Sequence, residues 1–277
     1  MYCRRQGLVF AAAVCLTAAS FSFPSYAQSL APEPSLTEEQ EKEFLLHAKV
    51  VNSKPIGKGV TRPWRLTLSD GTLTHDAAFQ PVDTRQDFVS FVAGPAEIGF
   101  RDSYHYNIAA YELAKLLGLD DMVPVTVERK WQGQKGALSW WVPWKWDEGM
   151  RRKQNLQPPN PEAWNNQVDK VRVFSQLIYN TDLNLGNLLI TVDWKLWMID
   201  FTRSFRHHKQ VQNPQQLQRC GRQLLEKLRQ LDGNELLEQA RPHLSAEEVQ
   251  ALMSRRNQIV DYFQRLIAQK GEDAVLY

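Results

Sequence analysis

Apolar and polar positions divide the chain into a first half of mainly period-two runs and a second half of mainly helical periodicity. Trp64, Leu66 and Leu68 alternate with Arg65 and Thr67, which predicts a strand half-buried against a core. Asp70-Gly71 predicts a hairpin turn, and Thr72 to Gln80 the returning strand. Ahead of them, Thr37 to Phe44 reads as a short helix capped by Thr37, with Glu38 and Glu39 in its first turn, and Leu45 to Asn52 as a first strand. The glycine-containing turn PIGKGVTR joins that strand to the next. After a loop, Ser103 to Leu117 has helical spacing closed by Gly118, and Val123 to Arg129 and Gly136 to Val142 follow as strands. Pro143 to Pro161 is polar, basic and proline-rich and reads as a surface linker. Asp169 to Tyr179 sets Val171, Phe174, Leu177 and Ile178 on one helical face. The rest is predicted helical: Pro214 to Leu231, a turn at Asp232-Gly233, a shorter helix to Ala240, and Ala246 to Lys270 behind a Ser245/Glu248 capping box.

Between these halves lies Tyr179 to Arg203, YNTDLNLGNLLITVDWKLWMIDFTR. The short runs LLIT and KLWMI flank Val192-Asp193-Trp194, so the stretch reads as loop, strand, tight turn, strand, loop. Folding that hairpin brings Asn187, just before the first strand, next to Asp200, just after the second, with Asp182 on the incoming loop. A hard divalent cation takes a few oxygen ligands from protein and the rest from water and phosphate, which suits Asn187 and Asp200 as metal ligands. A carboxylate beside them, Asp182, suits a base toward an attacking hydroxyl. The same composition, D-x-N-x-x-N, also occurs in turns for backbone reasons alone.

An Asp and an Asn five apart, followed by an Asp after two strands, resemble the catalytic loop and metal-binding Asp of the protein-kinase-like superfamily, in its atypical branch. Phosphatidylinositol-kinase-like and secretory-pathway-kinase-like members have the nearest pattern, and exported bacterial proteins share it. The resemblance implies an α+β, bilobal protein-kinase-like fold, with a small β-rich N-lobe over residues 37–142 and a larger, mainly helical C-lobe over 143–277. It implies ATP with Mg²⁺ or Mn²⁺ as cofactors, a nucleotide-binding cleft, Asp182 as catalytic base, Asn187 and Asp200 on the metal, and Gly57, Lys58 and Gly59 over the phosphates. The activity implied is phosphoryl transfer to a hydroxyl on a protein, lipid, sugar or small molecule, or nucleotidyl transfer on the same scaffold. The alternative is a pseudokinase that binds a partner without transfer.

Two positions depart from the kinase pattern. Gln80 stands where the third strand should carry a phosphate-binding lysine, and Asn107 where the following helix should carry its glutamate partner. Both are neutral amides able to hydrogen-bond. G-K-G lacks a third glycine, Arg62 standing in its place, and Lys58 is a candidate replacement for the missing cation. Thr181 precedes Asp182 where many kinases have arginine, so control by a phosphorylated activation segment is not expected. Arg203 and Arg206 are candidates for an acidic substrate, and Trp140 and Trp141 for walls of an adenine pocket.

Composition changes the picture at one end. Arg4 and Arg5, the apolar run Leu8 to Phe21 and the small residues of Ser25-Tyr26-Ala27 predict a signal peptide over residues 1–27, a linker over 28–36, and export to the periplasm or beyond. Cleavage there removes two of three cysteines, leaving Cys220; neither a disulfide nor a zinc-ligand cluster is expected, and no membrane span remains. It also removes two of 33 basic residues against 31 acidic, and that even balance argues against nucleic acid as a partner. No G-x-S-x-G or H-E-x-x-H sequence points to a hydrolase.

Overall fold

The computed structural model describes residues 36–57, 63–90, 97–182 and 184–277. The predicted leader, the linker up to residue 35, and Lys58 and Gly59 of the glycine turn lie outside the described residues.

Helix α1 (Glu38–His47) opens the described chain under a capping box, in which Gln40 N–H donates to Thr37 Oγ1 and Gln40 Oε1 accepts from Thr37 N–H. It absorbs Leu45 and Leu46, expected in the first strand, because Leu45 is fully buried on the helix's core face beside Phe44. Strand β1 (Lys49–Pro55) therefore starts later than expected. It pairs antiparallel with β2 (Trp64–Ser69), which pairs with β3 (Thr74–Gln80) around the Asp70-Gly71 turn. There the Asp70 carboxylate accepts from the N–H groups of Thr72 and Leu73 and Gly71 takes φ +96°, so glycine suits the position.

Between β3 and the next helix the sequence suggested a loop, but the chain forms a two-stranded ribbon, β4 (Asp83–Val89) with β5 (Glu97–Ser103). Half of its registered pairs hold only polar or charged side chains, such as Arg85 opposite Arg101, so it carries little of the apolar alternation that marks a strand. Helix α2 (His105–Leu116) follows, with Tyr111, Leu113 and Ala114 fully buried. Strands β6 (Thr126–Trp131) and β7 (Gln134–Trp140) complete a five-stranded sheet in the order β1-β2-β3-β7-β6, with α1 and α2 packed on β6 and β7.

Gly136 matters to where β3 ends. A Cβ there would stand 2.7 Å from the Gln80 carbonyl oxygen and 2.8 Å from the Phe79 ring. Gly136→Ala is therefore expected to push β3 and β7 apart at Gln80 and to destabilise the fold by about 1–3 kcal/mol, as overpacking does. A thermal melt checks this; an unchanged Tm would mean that the sheet gives way there without cost.

The segment expected as a surface linker contains β8 (Trp146–Asp147) and α3 (Glu148–Lys153), because Asp147 accepts from Met150 N–H as an N-cap and Glu148 holds Arg151 and Arg152. Helix α4 (Pro161–Leu177) starts earlier than its apolar face suggests, capped by Asn160 with Pro161 in its first turn. Strands β9 (Leu188–Ile190) and β10 (Leu196–Met198) form the expected hairpin, with β8 on the outer edge of β9. Pro214–Gln216 makes only a single 3-10 turn, and α5 (Arg222–Gln230) begins later than predicted. Cys220 is accordingly not helical: it is fully buried in a bridge with Leu276, and burial pushes its thiol up to about 12. Then come α6 (Gly233–Gln239) and α7 (Ala246–Lys270), whose Ser245/Glu248 capping box is present, and the short α8 (Glu272–Val275). No helix among the described residues is long and apolar enough to cross a membrane.

One apolar core runs from Phe44, Leu66 and Phe79 through Phe174, Ile190 and Phe201 to Leu228 and Phe263. Arg255 on α7 is fully buried in it and donates to the carbonyls of Leu177, Arg206 and His208, so it ties the end of α4 to the segment after Phe205. With no carboxylate partner among the described residues, burial pulls that guanidinium down to about 10.

Candidate active site

A cleft of about 700 Å³ opens between the five-stranded sheet and the β9–β10 hairpin. Hairpin closure sets its floor. Ile199 N–H donates to the Asn187 carbonyl at 3.0 Å, which holds the residue before β9 against the strand leading to Asp200. Asp200 sits at φ +59°, a left-handed conformation in which the backbone turns sharply after β10. Asp182 is fixed in the incoming loop by local bonds: its N–H donates to Asn180 Oδ1 at 2.9 Å, and its Oδ1 accepts from Asn184 N–H at 3.3 Å. Thr181 donates through Oγ1 to the Arg203 carbonyl at 2.9 Å, coupling this loop to the segment after Asp200.

A relay of side-chain bonds joins the sheet, α2 and the hairpin. Phe201 N–H donates to Asn107 Oδ1 at 2.7 Å, Asn107 Nδ2 to Gln80 Oε1 at 2.6 Å, and Gln80 Nε2 to Asp200 Oδ1 at 3.1 Å. Thr202 Oγ1 adds a donor to the same Asp200 oxygen at 3.0 Å. Gln80 and Asn107, the two amides at the departing positions, are thus in direct contact with each other and with the segment that carries Asp200. An amide can accept and donate at once, so the pair passes a bond onward where a lysine–glutamate pair would end in two opposite charges.

Sequence reasoning missed Asp102. It lies at the end of β5, brought into the cleft because Ser103 N–H donates to the Thr202 carbonyl at 2.9 Å. The signal was slight: an acid between the Phe100-Arg101 pair and the start of α2, in a ribbon the hydrophobic pattern did not reveal. Its Oδ2 accepts from Arg203 Nε at 3.1 Å, while Oδ1 is buried with no partner among the described residues. Asn187 Nδ2 is buried and unpartnered in the same sense.

The electrostatics follow. Asp102, Asp147, Asp182 and Asp200 line the cleft, and Arg203 is the single Lys or Arg among its described lining residues. The Asp200 side chain is partly open to the cleft yet surrounded by protein. Burial pushes its carboxyl above the usual range, opposed by the Gln80 and Thr202 hydrogen bonds and reinforced by the charges of Asp182 and Asp102. Arg206 is different: it is buried, donates to the Arg101 carbonyl at 2.6 Å, and is not among the described residues that line the cleft, whereas Arg203 is. Gly57 lies at the start of the glycine turn, two residues beyond β1, with no described atom within 4 Å of where a Cβ would stand. On the far wall are Trp140, Trp141 and Trp144; Trp140 stacks on His75 at 3.8 Å, and the Arg65 guanidinium lies 4.1 Å over Trp141.

The donor set fits a hard divalent cation. It is rich in oxygen, without sulfur or imidazole, and contains a buried carboxylate oxygen that lacks a partner among the described residues beside a carboxyl raised by burial and then by like charges.

No protein-family model matches the chain, and no curated protein matches it. Solved structures do. A hydra Fam20 structure with sugar superposes with a TM-score of 0.63 at 16% identity, covering 86% of this chain and 91% of that one. The Golgi casein kinase with Mn/ADP bound superposes at 0.60 and 13% identity, covering 86% and 78%. The Helicobacter pylori proinflammatory kinase CtkA superposes at 0.52 and 10% identity, covering 82% and 98%. The chain has the bilobal protein-kinase-like fold.

Proposed function

We propose that this kinase-like fold is a nucleotide-dependent phosphotransferase requiring a divalent metal, with ATP and Mg²⁺ or Mn²⁺ as cofactors, acting outside the cytoplasm behind the predicted leader. The observation that carries the reading is the convergence of Asp182, Asn187, Asp200 and Asp102 on one cleft, with Asp200 joined to the sheet through Gln80 and Asn107. That one of the similar structures is described with Mn/ADP bound supports the cofactors.

In this reading Asp200 and Asn187 hold the metal, and Asp102 offers a third oxygen donor. The divalent ion, when bound, supplies the positive charge that offsets the phosphate oxygens. Asp182, on a loop braced by Asn180 and Thr181, accepts the proton of the acceptor hydroxyl. Gln80 orients Asp200, and Asn107 holds Gln80 and the Phe201 backbone. Arg203, already against Asp102, is the cation that faces the transferred group where the usual lysine is missing. The tryptophan wall takes the base, and Gly57, Lys58 and Gly59 are assigned to the phosphates by the resemblance.

The test is transfer itself. The full chain with Mn²⁺ or Mg²⁺ and γ-labelled ATP is offered protein, lipid, sugar and small-molecule acceptors, beside Asp182→Asn. Label transferred by the wild type and lost in the variant supports the reading. Tight nucleotide binding with no label on any acceptor would favour the pseudokinase alternative, for which the neutral Gln80–Asn107 pair is the motivating feature.

A further inference from the structure

Away from the cleft, three side chains from well-separated segments converge at one point. His105 opens α2, Glu128 lies on β6 at the edge of the five-stranded sheet, and His243 lies between α6 and α7. One ligating atom from each can be chosen so that all three lie within 4.8 Å of one another. The two imidazoles face each other through Nδ1, 2.8 Å apart. A neutral imidazole offers one donor and one acceptor, so a single proton lies between them.

We infer that His105, His243 and Glu128 form a binding site for a divalent transition-metal ion of the Zn²⁺ or Cu²⁺ class. Two nitrogens 2.8 Å apart and each about 2.0–2.1 Å from a metal subtend nearly a right angle at it, an arrangement that tetragonal or five-coordinate sites accept and that a small ring movement widens to a tetrahedral one. Imidazole nitrogen with one carboxylate oxygen selects such ions over Mg²⁺, which takes oxygen.

The surroundings are those of ligating histidines. His105 stacks on Tyr104 at 4.1 Å, which fixes its ring plane. On the far side of that ring, Asp83 Oδ2 lies 4.0 Å from Nε2, and Asp83 is itself held by Ser103 Oγ at 2.8 Å. A carboxylate on that side of a histidine, too far at 4.0 Å for a hydrogen bond, still favours the proton on the nitrogen opposite the ligating one. Glu128 is oriented by the Tyr104 hydroxyl at 2.9 Å, and its other oxygen pairs with Lys135, an exposed ammonium that solvent can take over. Burial lowers both imidazoles, His243 to about 4. Because the three ligands are 23 and 115 residues apart along the chain, as their numbers show, no spacing motif announces the site.

An ion there ties α2 and the sheet to the α6–α7 connection, close to where Tyr106 and Arg101 already meet Glu248 at 2.6 and 2.8 Å. Helix α2 also carries Asn107, so the ion would brace the amide relay from behind. The inference does not depend on phosphoryl transfer in the cleft.

The full chain, stripped with EDTA and exchanged into chelator-free buffer, is titrated calorimetrically with Zn²⁺. In excess Mg²⁺, which fills the oxygen-donor cleft, one Zn²⁺ ion is expected to bind per chain, with the same affinity in Asp200→Asn. His243→Ala is expected to weaken it more than about 100-fold, the upper range for losing a mere outer-shell partner, and Glu128→Gln to weaken it while preserving side-chain volume. The Cu²⁺-loaded wild type should show nitrogen hyperfine splitting from two imidazoles, with one lost in His243→Ala. Failure of the folded wild type to bind Zn²⁺, or unchanged affinity in both folded variants, would overturn the assignment.

Discussion

Asp200→Asn is expected to raise the melting temperature of the metal-free protein while abolishing its stabilisation by nucleotide and divalent metal. In the metal-free state burial, with the neighbouring Asp182 and Asp102, disfavours a charge on Asp200 and pushes its carboxyl up. Both bonds it receives, from Gln80 and Thr202, go to Oδ1, which an asparagine retains. A carboxyl whose folded pKa is raised costs stability above that pKa, and the cost disappears as pH falls below the unfolded value, ordinarily 3.8. The gain from asparagine should therefore be largest at alkaline pH and vanish in acid. With metal the order reverses: a ligand at a hundred times its dissociation constant adds about 2.7 kcal/mol, a rise of about 5–10 °C for a domain of this size. Asn cannot replace the anionic ligand, so that rise should be lost. Thermal melts of both proteins with and without Mn²⁺ and ADP decide it. A variant less stable than wild type without metal, yet still stabilised by Mn-nucleotide, would contradict the assignment.

Asp182→Asn should act on a different step. Asp182 N–H donates to Asn180 Oδ1 and its Oδ1 accepts from Asn184 N–H, and an asparagine keeps both bonds, so the amide preserves the fold. What it loses is the capacity to accept a proton, typically 10²–10⁴-fold in rate. Single-turnover transfer is expected to fall by about that factor while the Mn-nucleotide melting shift stays at its wild-type value. A loss of nucleotide affinity equal to the loss of rate would place Asp182 on the ligand instead of on the proton.

Both variants concern residues that local sequence already brought together, and the reason is topological. A hairpin with a fixed turn places the residue before its first strand beside the residue after its second, so Asn187 and Asp200 were legible as neighbours from the two short apolar runs alone. Ser245 with Glu248, and Asp70-Gly71, were legible for a similar reason: caps and tight turns are local bonds between nearby residues. Asp102 was not, because β4 and β5 satisfy their backbones with each other while exposing polar side chains. The metal candidates His105 and His243 were not legible either, since only tertiary packing brings α2 against the α6–α7 connection. At Leu45 and Leu46 an apolar pair suited helix and strand equally, and burial beside Phe44 decided for the helix. Cys220 and Pro214 read as helix by composition, but Pro214 opens a single 3-10 turn and Cys220 is held in a bridge with Leu276.

Calorimetric titration of the full chain with ADP, first without and then with Mn²⁺, tests the central claim most directly. The account predicts saturable binding only when the metal is present, because four carboxylates facing one arginine repel phosphate until a cation is added. Equal binding with and without metal, or none by a folded sample under either condition, would contradict it.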